Sequence, residues 1–317
     1  MTINFETVLE ELKSHDDILI LTHASPDGDT LGSGFALLHA LRAMGKRVKL
    51  KNNDELPKKF AYLYEGVQMP EFDEKYIVTV DVADFKLLGN DFRNIYGDKV
   101  DLRIDHHSSS ADFAKMSYIE ADSASNCEII FNVIEGLGVT ITKEISDCIY
   151  TGCCTDTGCF RYSNVTVRTH MIAAKLIEYG ADYAGINVKM FETKSKNVLM
   201  LEKVSLESLE MFSEEKVAFI TITQKMLNET STDESDCDAI CALTRQIEGV
   251  KVGVTFKEKK DGTIGISVRT YEPYDASAIC KALGGGGHNR AAGCKFSCGM
   301  DEAKRRTLEQ IAMILAK

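Results

Sequence analysis

Val100-Asp101-Leu102-Arg103-Ile104-Asp105-His106-His107 is the stretch whose reading decides the fold. Val100 to Ile104 reads as a short strand, and three side chains with metal-binding chemistry stand at its end. Three other acidic clusters repeat the arrangement. His23-x3-Asp27-x-Asp29 follows the buried run Asp17 to Thr22, Asp81 follows Tyr76 to Val80, and Asp156 lies near a helix end. Strands alternating with helices imply a mostly parallel sheet covered on both faces. In such sheets ligands bind at the carboxyl ends of the strands, which is where His23, Asp81 and His106 fall.

Working outward, Thr30 to Met44 carries apolar residues at helical spacing, with Gly45 placed to end the helix. Arg47 to Leu50 is a further strand. Helices are expected over about 124–135, 143–155 and 167–179. The stretch from Ile186 to Phe212 has few breakers and reads as one or two connecting helices. Beyond it, Lys216 to Ile222, Lys251 to Phe256 and Thr263 to Arg269 read as strands, and Asp275 to Leu283 as a short helix. The expected organisation is an α/β domain over 1–185, a helical linker over 186–212 and a smaller α+β domain over 213–317. Asn228 to Asp238 is expected to be a surface loop or a helix start.

Composition narrows the function. The net charge is −11, whereas proteins that hold long nucleic acid by its phosphates are usually basic. Long duplex is therefore excluded as a partner, while a short anionic substrate in a locally favourable site is not. No segment reaches the ~18 apolar residues of a membrane span. Met1 to Glu6 has neither a basic nor an apolar leader region, so a cytoplasmic location is expected. The 10 cysteines are scattered through apparent core segments, including Cys127, Cys148, Cys241 and Cys280, which suggests buried free thiols. A homodimer is compatible with the sequence.

In His23-Ala24-Ser25-Pro26-Asp27-Gly28-Asp29, Pro26 and Gly28 force a tight loop that converges three ligand-type side chains. A plain helix cap at Asp29 or Thr30 would explain only one of them. Asp84 rivals Asp81 for any role at the third strand. Hard divalent cations favour carboxylate oxygen, and imidazole biases the choice from Mg²⁺ toward Mn²⁺. A pair of such ions about 3.5–4 Å apart clamps a phosphoryl group and activates water. Cys153-Cys154 lacks the spacing of a structural zinc site. Gly284 to Gly287 gives a backbone able to approach a phosphate closely, followed by His288 and Arg290.

Taken together, the clusters resemble the DHH phosphoesterase superfamily, whose His-x3-Asp-x-Asp, strand-end Asp, Asp-His-His and later Asp motifs fall in this order. The run Gly284 to Gly293 resembles the signature of the DHH-associated domain, and the form of His23 to Ser33 resembles the nanoRNase (NrnA-like) group. The resemblance implies two divalent ions. His23, Asp27 and Asp81 would hold one, and Asp29, Asp81, His106 and Asp156 the other. His107 would contact phosphoryl oxygens or help protonate the leaving group, and Asp105 would orient a neighbouring histidine. Arg269, Gly285, Gly286, Gly287, His288 and Arg290 would bind substrate, with the smaller domain across a cleft. The implied reaction is hydrolysis of short oligoribonucleotides (about two to five nucleotides) to mononucleotides, with 3′-phosphoadenosine 5′-phosphate (pAp) and linear dinucleotides as further substrates. The alternatives are another phosphohydrolase of the superfamily, such as a cyclic-dinucleotide phosphodiesterase or RecJ-like exonuclease, and a nucleotide sensor without turnover.

Overall fold

The runs expected as strands all form strands, and one fact about their burial explains the architecture. In Ile18–Leu21 every residue is buried. Side chains alternate between the two faces of a strand. Here Ile18 and Ile20 join one apolar cluster, while Leu19 and Leu21 join another. The sheet is thus covered on both sides. The computed structural model describes residues 1–107 and 113–315, without the side chains of Asp238, Ala239 and His288.

The chain divides into two units, Met1–Thr193 and Lys194–Lys317. The first runs α1 (Phe5–Ser14), β1 (Ile18–Leu21), α2 (Gly28–Ala43), β2 (Val48–Lys51), α3 (Ala61–Tyr64), β3 (Tyr76–Val80), α4 (Asn90–Tyr96), β4 (Leu102–Asp105), β5 (Met116–Ile119), α5 (Asn126–Leu137), α6 (Lys143–Asp156), α7 (Val167–Glu178) and α8 (Tyr183–Asn187). Its five strands lie in the order β2-β1-β3-β4-β5, and every neighbouring pair is parallel. The strand order reverses between β1 and β3, which makes their carboxyl ends the expected ligand crevice. His23 leaves β1 and Asp81 leaves β3 on either side of that point.

Two helices bring distant parts of the sequence to the crevice. The crossing of α2 with α6 is lined by glycine. A Cβ on Gly28 would lie 2.4 Å from Thr155 Oγ1, and one on Gly152 would lie 2.7 Å from Asp29 Oδ1. Larger residues at these positions would push the helices apart, and Asp29 and Asp156 with them. The sequence reading passed over α1 and β5. α1 is capped by Asn4 and buries Val8 and Leu12, while β5 is a half-buried edge strand.

The second unit contains α9 (Lys196–Leu206), β6 (Glu210–Phe212), β7 (Val217–Ile222), α10 (Gln224–Thr230), α11 (Asp238–Cys241), β8 (Val252–Glu258), β9 (Ile264–Thr270), α12 (Ala276–Ala282), β10 (Gly286–His288), β11 (Ala291–Phe296) and α13 (Met300–Leu315). Its sheet has the order β10-β11-β9-β8-β7-β6. Only β7 and β8 run parallel among these neighbours. Val217, Phe219, Val254, Phe256 and Val268 build its core with Ile279 and Ile311 from the helices.

Two local expectations change and a third becomes specific. Glu210–Phe212 is a strand rather than connecting helix, because it pairs with β7. The run Asn228 to Asp238, expected as a surface loop or a helix start, is the end of α10, a short 3₁₀ turn and the first residue of α11. Gly286–His288 is an edge strand paired with β11. Glycine disfavours strands, so tertiary pairing decides here. A Cβ on Gly287 would lie 2.6 Å from Ala292 Cα, an approach only glycine permits. Among the described residues, no helix is long and apolar enough to cross a membrane.

Candidate metal centre

Each ligand-type side chain is aimed by a local device. His23 follows β1, and its Nδ1 lies 2.8 Å from Ala24 O, which turns Nε2 toward the carboxylates. The backbone beneath it is pinned from β2, where Asn52 Nδ2 donates to Thr22 Oγ1 and to His23 O at 2.7 Å each. The cap of α2 is Asp27 rather than Asp29 or Thr30: its Oδ1 accepts the amides of Asp29 (3.0 Å) and Thr30 (3.1 Å). Its side chain remains 55% exposed.

Asp29 is almost fully buried, at 1% exposure. Its two oxygens accept the amides of Asn126 (2.6 Å) and Cys127 (2.9 Å) at the start of α5. A carboxylate is favoured at a helix N-terminus by those amides and by the helix dipole. Sequence reasoning missed this partnership. The signal for it was Ser125-x-x-Glu128, an N-cap pattern, and Ser125 Oγ does accept the Glu128 amide at 3.3 Å.

Asp81 adopts φ +57°, a left-handed backbone uncommon outside glycine and tolerated best by Asp and Asn. Its Oδ2 lies 3.6 Å from His23 Nε2, and its Oδ1 lies 3.5 Å from His106 Nε2. Asp81 therefore stands between the two imidazoles. Asp84, its sequence rival, instead caps a 3₁₀ turn by accepting the Lys86 amide. His106 Nδ1 faces Ser123 O at 3.2 Å, leaving Nε2 at 3.8 Å from Asp29 and 3.6 Å from Asp156. Asp156 ends α6, where Asn164 Nδ2 holds its carbonyl at 3.2 Å.

These residues assemble three mutually close donor sets: His23 with Asp27 and Asp81, Asp29 with His106 and Asp156, and Asp81 with His106 and His107. Cysteine contributes to none of them among the described residues. Burial opposes a charge on His23, but Asp27 and Asp81 outweigh it and push the imidazole up to about 11. Burial likewise opposes charge on His106, and Asp81, Asp29 and Asp156 raise it to about 11. Asp29 is raised to about 7 by burial and then by the Asp81 charge. Asp156 is raised well above the usual carboxylate range by burial and by Asp29, Asp27 and Asp81. Asp27 moves the other way: desolvation is outweighed by His23 and by the amides of Thr30 and Asp29.

The donor set suits divalent cations. Four carboxylates converge on two imidazoles whose Nδ1 atoms already face backbone carbonyls. Asp81 Oδ1 is buried without a hydrogen-bond partner. A buried acceptor left unpaired is costly, and a cation would satisfy it.

His107 is placed differently. Its Nδ1 lies 2.8 Å from Asp105 Oδ1, closer than the 3.6 Å to Asp81 Oδ1. Asp105 is fully buried and bonded to Arg103, and its acidity is held at about 2. Burial opposes that ionised state, and His107 and Arg103 outweigh it.

Arg269, Ala291 and His288 lie in one register row across β9, β11 and β10. Arg269 Nη1 donates to Val268 O at 3.1 Å. Arg290 donates to Tyr274 O and to Glu272, both at 2.7 Å. Gly285 N–H donates to Cys280 O at 2.8 Å. The side chain of His288 lies outside the described residues.

The motif order, the parallel sheet and the convergence of these ligands have a counterpart in two family models. The DHH family N-terminal domain matches residues 17–153, and the DHHA1 domain matches residues 215–317. A bifunctional oligoribonuclease and PAP phosphatase NrnA of Thermus thermophilus is 30% identical over 313 residues, which is 96% of this chain and 92% of that protein. The chain belongs to the DHH family. The NrnA of Bacillus subtilis is 26% identical over 303 residues, 94% of this DHH chain and 95% of the relative. An exopolyphosphatase-related protein from Bacteroides fragilis shares the fold with a TM-score of 0.90 at 24% identity, covering 98% of this chain and 95% of the other. RecJ from Thermus thermophilus, in complex with Mn²⁺, shares it more distantly, with a TM-score of 0.57 at 16% identity over 98% of this chain and 54% of that one. The DHH chain thus has a metal-dependent hydrolase fold with a candidate catalytic metal site.

Proposed function

We propose that this DHH protein is a metal-dependent phosphoesterase that hydrolyses oligoribonucleotides of a few nucleotides to mononucleotides, and that it also accepts pAp and linear dinucleotides. The observation that carries the reading is the position of Asp81, with one oxygen toward His23 and the other, buried and without a hydrogen bond, toward His106. The match to an NrnA over nearly its whole length supports the choice of substrate class.

In this reading His23, Asp27 and Asp81 hold one ion, and Asp29, Asp81, His106 and Asp156 hold the other, with Mn²⁺ preferred over Mg²⁺. Two divalent cations would supply Lewis-acid charge and lower the pKa of a bound water. The chain's own groups do the rest. The backbone carbonyls at Ala24 and Ser123 hold the two imidazoles with Nε2 inward. His107, oriented by Asp105 through Nδ1, contacts a phosphoryl oxygen or supplies the leaving oxygen's proton. Arg269 pairs with phosphate through its planar fork. Gly285 to Gly287, His288 and Arg290 contact the nucleotide that is not cleaved.

One assay tests the reading: a ribodinucleotide, pAp, cyclic di-AMP and pyrophosphate, each with Mn²⁺ and with EDTA. Mononucleotide released from the dinucleotide with Mn²⁺ and not with EDTA is the expected result. No turnover of the dinucleotide or pAp under either condition would refute it, and preferential cleavage of cyclic di-AMP or pyrophosphate would move the enzyme elsewhere in the family.

A further inference from the structure

Arg103 has no part in the motifs, yet it is among the largest fully buried side chains, at 1% exposure. It lies two residues before Asp105 on β4, so both side chains leave the same face of the strand. Its guanidinium sits over the Phe113 ring, 5.1 Å from the centroid, and donates to Asp105 Oδ2. The other oxygen of Asp105 accepts the His106 amide at 2.9 Å and faces His107 Nδ1 at 2.8 Å. The carboxylate is thus divided, with one oxygen for the histidines and one for the arginine.

That division bears on a choice open to His107. Its Nδ1 has a second acceptor, Asp81 Oδ1, at 3.6 Å, and Asp81, His106 and His107 form one of the close donor sets. A small turn of the ring toward Asp81 would convert a substrate-facing histidine into a metal-facing one. Whether the ring turns depends on how firmly Asp105 is held. A buried carboxylate that loses a charged partner is left with an uncompensated oxygen, and it reorients to recover one.

We propose that Arg103 is a positioning residue that fixes Asp105 and thereby keeps His107 turned to substrate and out of the metal set. The inference rests on the phosphoesterase reading for what His107 does, but not for where its ring points. Proton NMR of the metal-free protein tests the second point without any turnover. The Nδ1–H of His107 should give a low-field resonance, identified by its disappearance in His107→Ala. It should be lost or broadened by exchange in Arg103→Met.

With Mn²⁺ and dinucleotide, Arg103→Met should lower kcat on the order of tenfold to a hundredfold with little change in KM. It should cause no further loss when added to His107→Ala. Arg103→Lys keeps the charge but not the planar fork, and should give a partial loss with the resonance weakened. Should Arg103→Met fail to fold, the lysine variant and its spectrum decide. An unchanged resonance in the soluble variants, or losses that add to those of His107→Ala, would overturn the proposal. If His107→Ala alone leaves turnover intact, the role of His107 in the phosphoesterase reading fails, while the resonance still judges Arg103.

Discussion

Loading the centre with metal should expel protons, and the structure sets how many. In the metal-free protein His23 and His106 are both pushed up to about 11, so at about pH 8 each carries a proton on the side facing the carboxylates. A histidine can ligate a cation only as the neutral base, so both protons must leave. Asp156 is raised well above the usual carboxylate range by burial and by its acidic neighbours, so any proton it holds leaves with them. Asp29, at about 7, adds little at that pH but more at neutrality. Calorimetric titration of Mn²⁺ in buffers of different ionisation enthalpy should therefore report at least two protons released per fully loaded site. Affinity for the ion pair should rise with pH by about tenfold per unit for each proton displaced. The sign for stability follows. Both folded-state values are raised above the ordinary 6.5. The stabilisation that protonated histidines lend the metal-free fold is complete below that value, and it disappears as pH climbs through about 11. A buffer-independent binding enthalpy would mean the imidazoles are neutral before loading or are not ligands, and the donor-set reasoning would fail.

Asp81→Ala should abolish dinucleotide hydrolysis and leave at most one ion per chain by elemental analysis, because the residue between the two imidazoles is gone. Gly152→Ala adds a Cβ 2.2 Å from Cys127 Sγ and 2.7 Å from Asp29 Oδ1. Overpacking of this kind costs about 1–3 kcal/mol, measurable by urea unfolding of the metal-free protein, and Mn²⁺ affinity should fall as well. Arg269→Ala should mainly raise KM for dinucleotide, with metals retained and a chromogenic phosphodiester lacking a second nucleotide cleaved almost as before. Equal losses on both substrates would show that Arg269 acts on the reaction centre or merely on folding.

The part of the fold legible in the sequence is the part written in local periodicity. Tyr76–Val80 is uniformly apolar apart from Thr79, and its strand bounds are as expected. The helix beginning at Lys143 was equally plain, and it extends one residue further to include Asp156. α1 is also legible, in its Asn4 cap and in the helical spacing of Val8 and Leu12. β10 is not, because three residues including two glycines have no strand tendency until β11 lies beside them. For the site, the motifs named side chains that the structure does bring together around Asp81. What spacing could not supply was the supporting layer. Asn52 acts on His23 from the neighbouring strand, and the Asn126 and Cys127 amides reach Asp29 from a helix almost a hundred residues away. Nothing in the local pattern around Arg103 marks a charge that turns inward, yet the side chain is buried.

The glycine-lined crossing of α2 and α6 has a consequence for how the protein can vary. Gly28, Gly32 and Gly152 carry no donor atom, yet a methyl on any of them would meet the opposing helix or its neighbours at 2.2 to 2.4 Å. In a comprehensive substitution screen scored by growth, these three positions would score as badly as the acidic residues. A screen read by itself would enrol them in the active site. Sorting the two classes takes a second condition, excess Mn²⁺. Mass action restores partial occupancy to a centre whose scaffold has been forced apart. It cannot replace a missing carboxylate, so the glycine variants should recover and the aspartate variants should not.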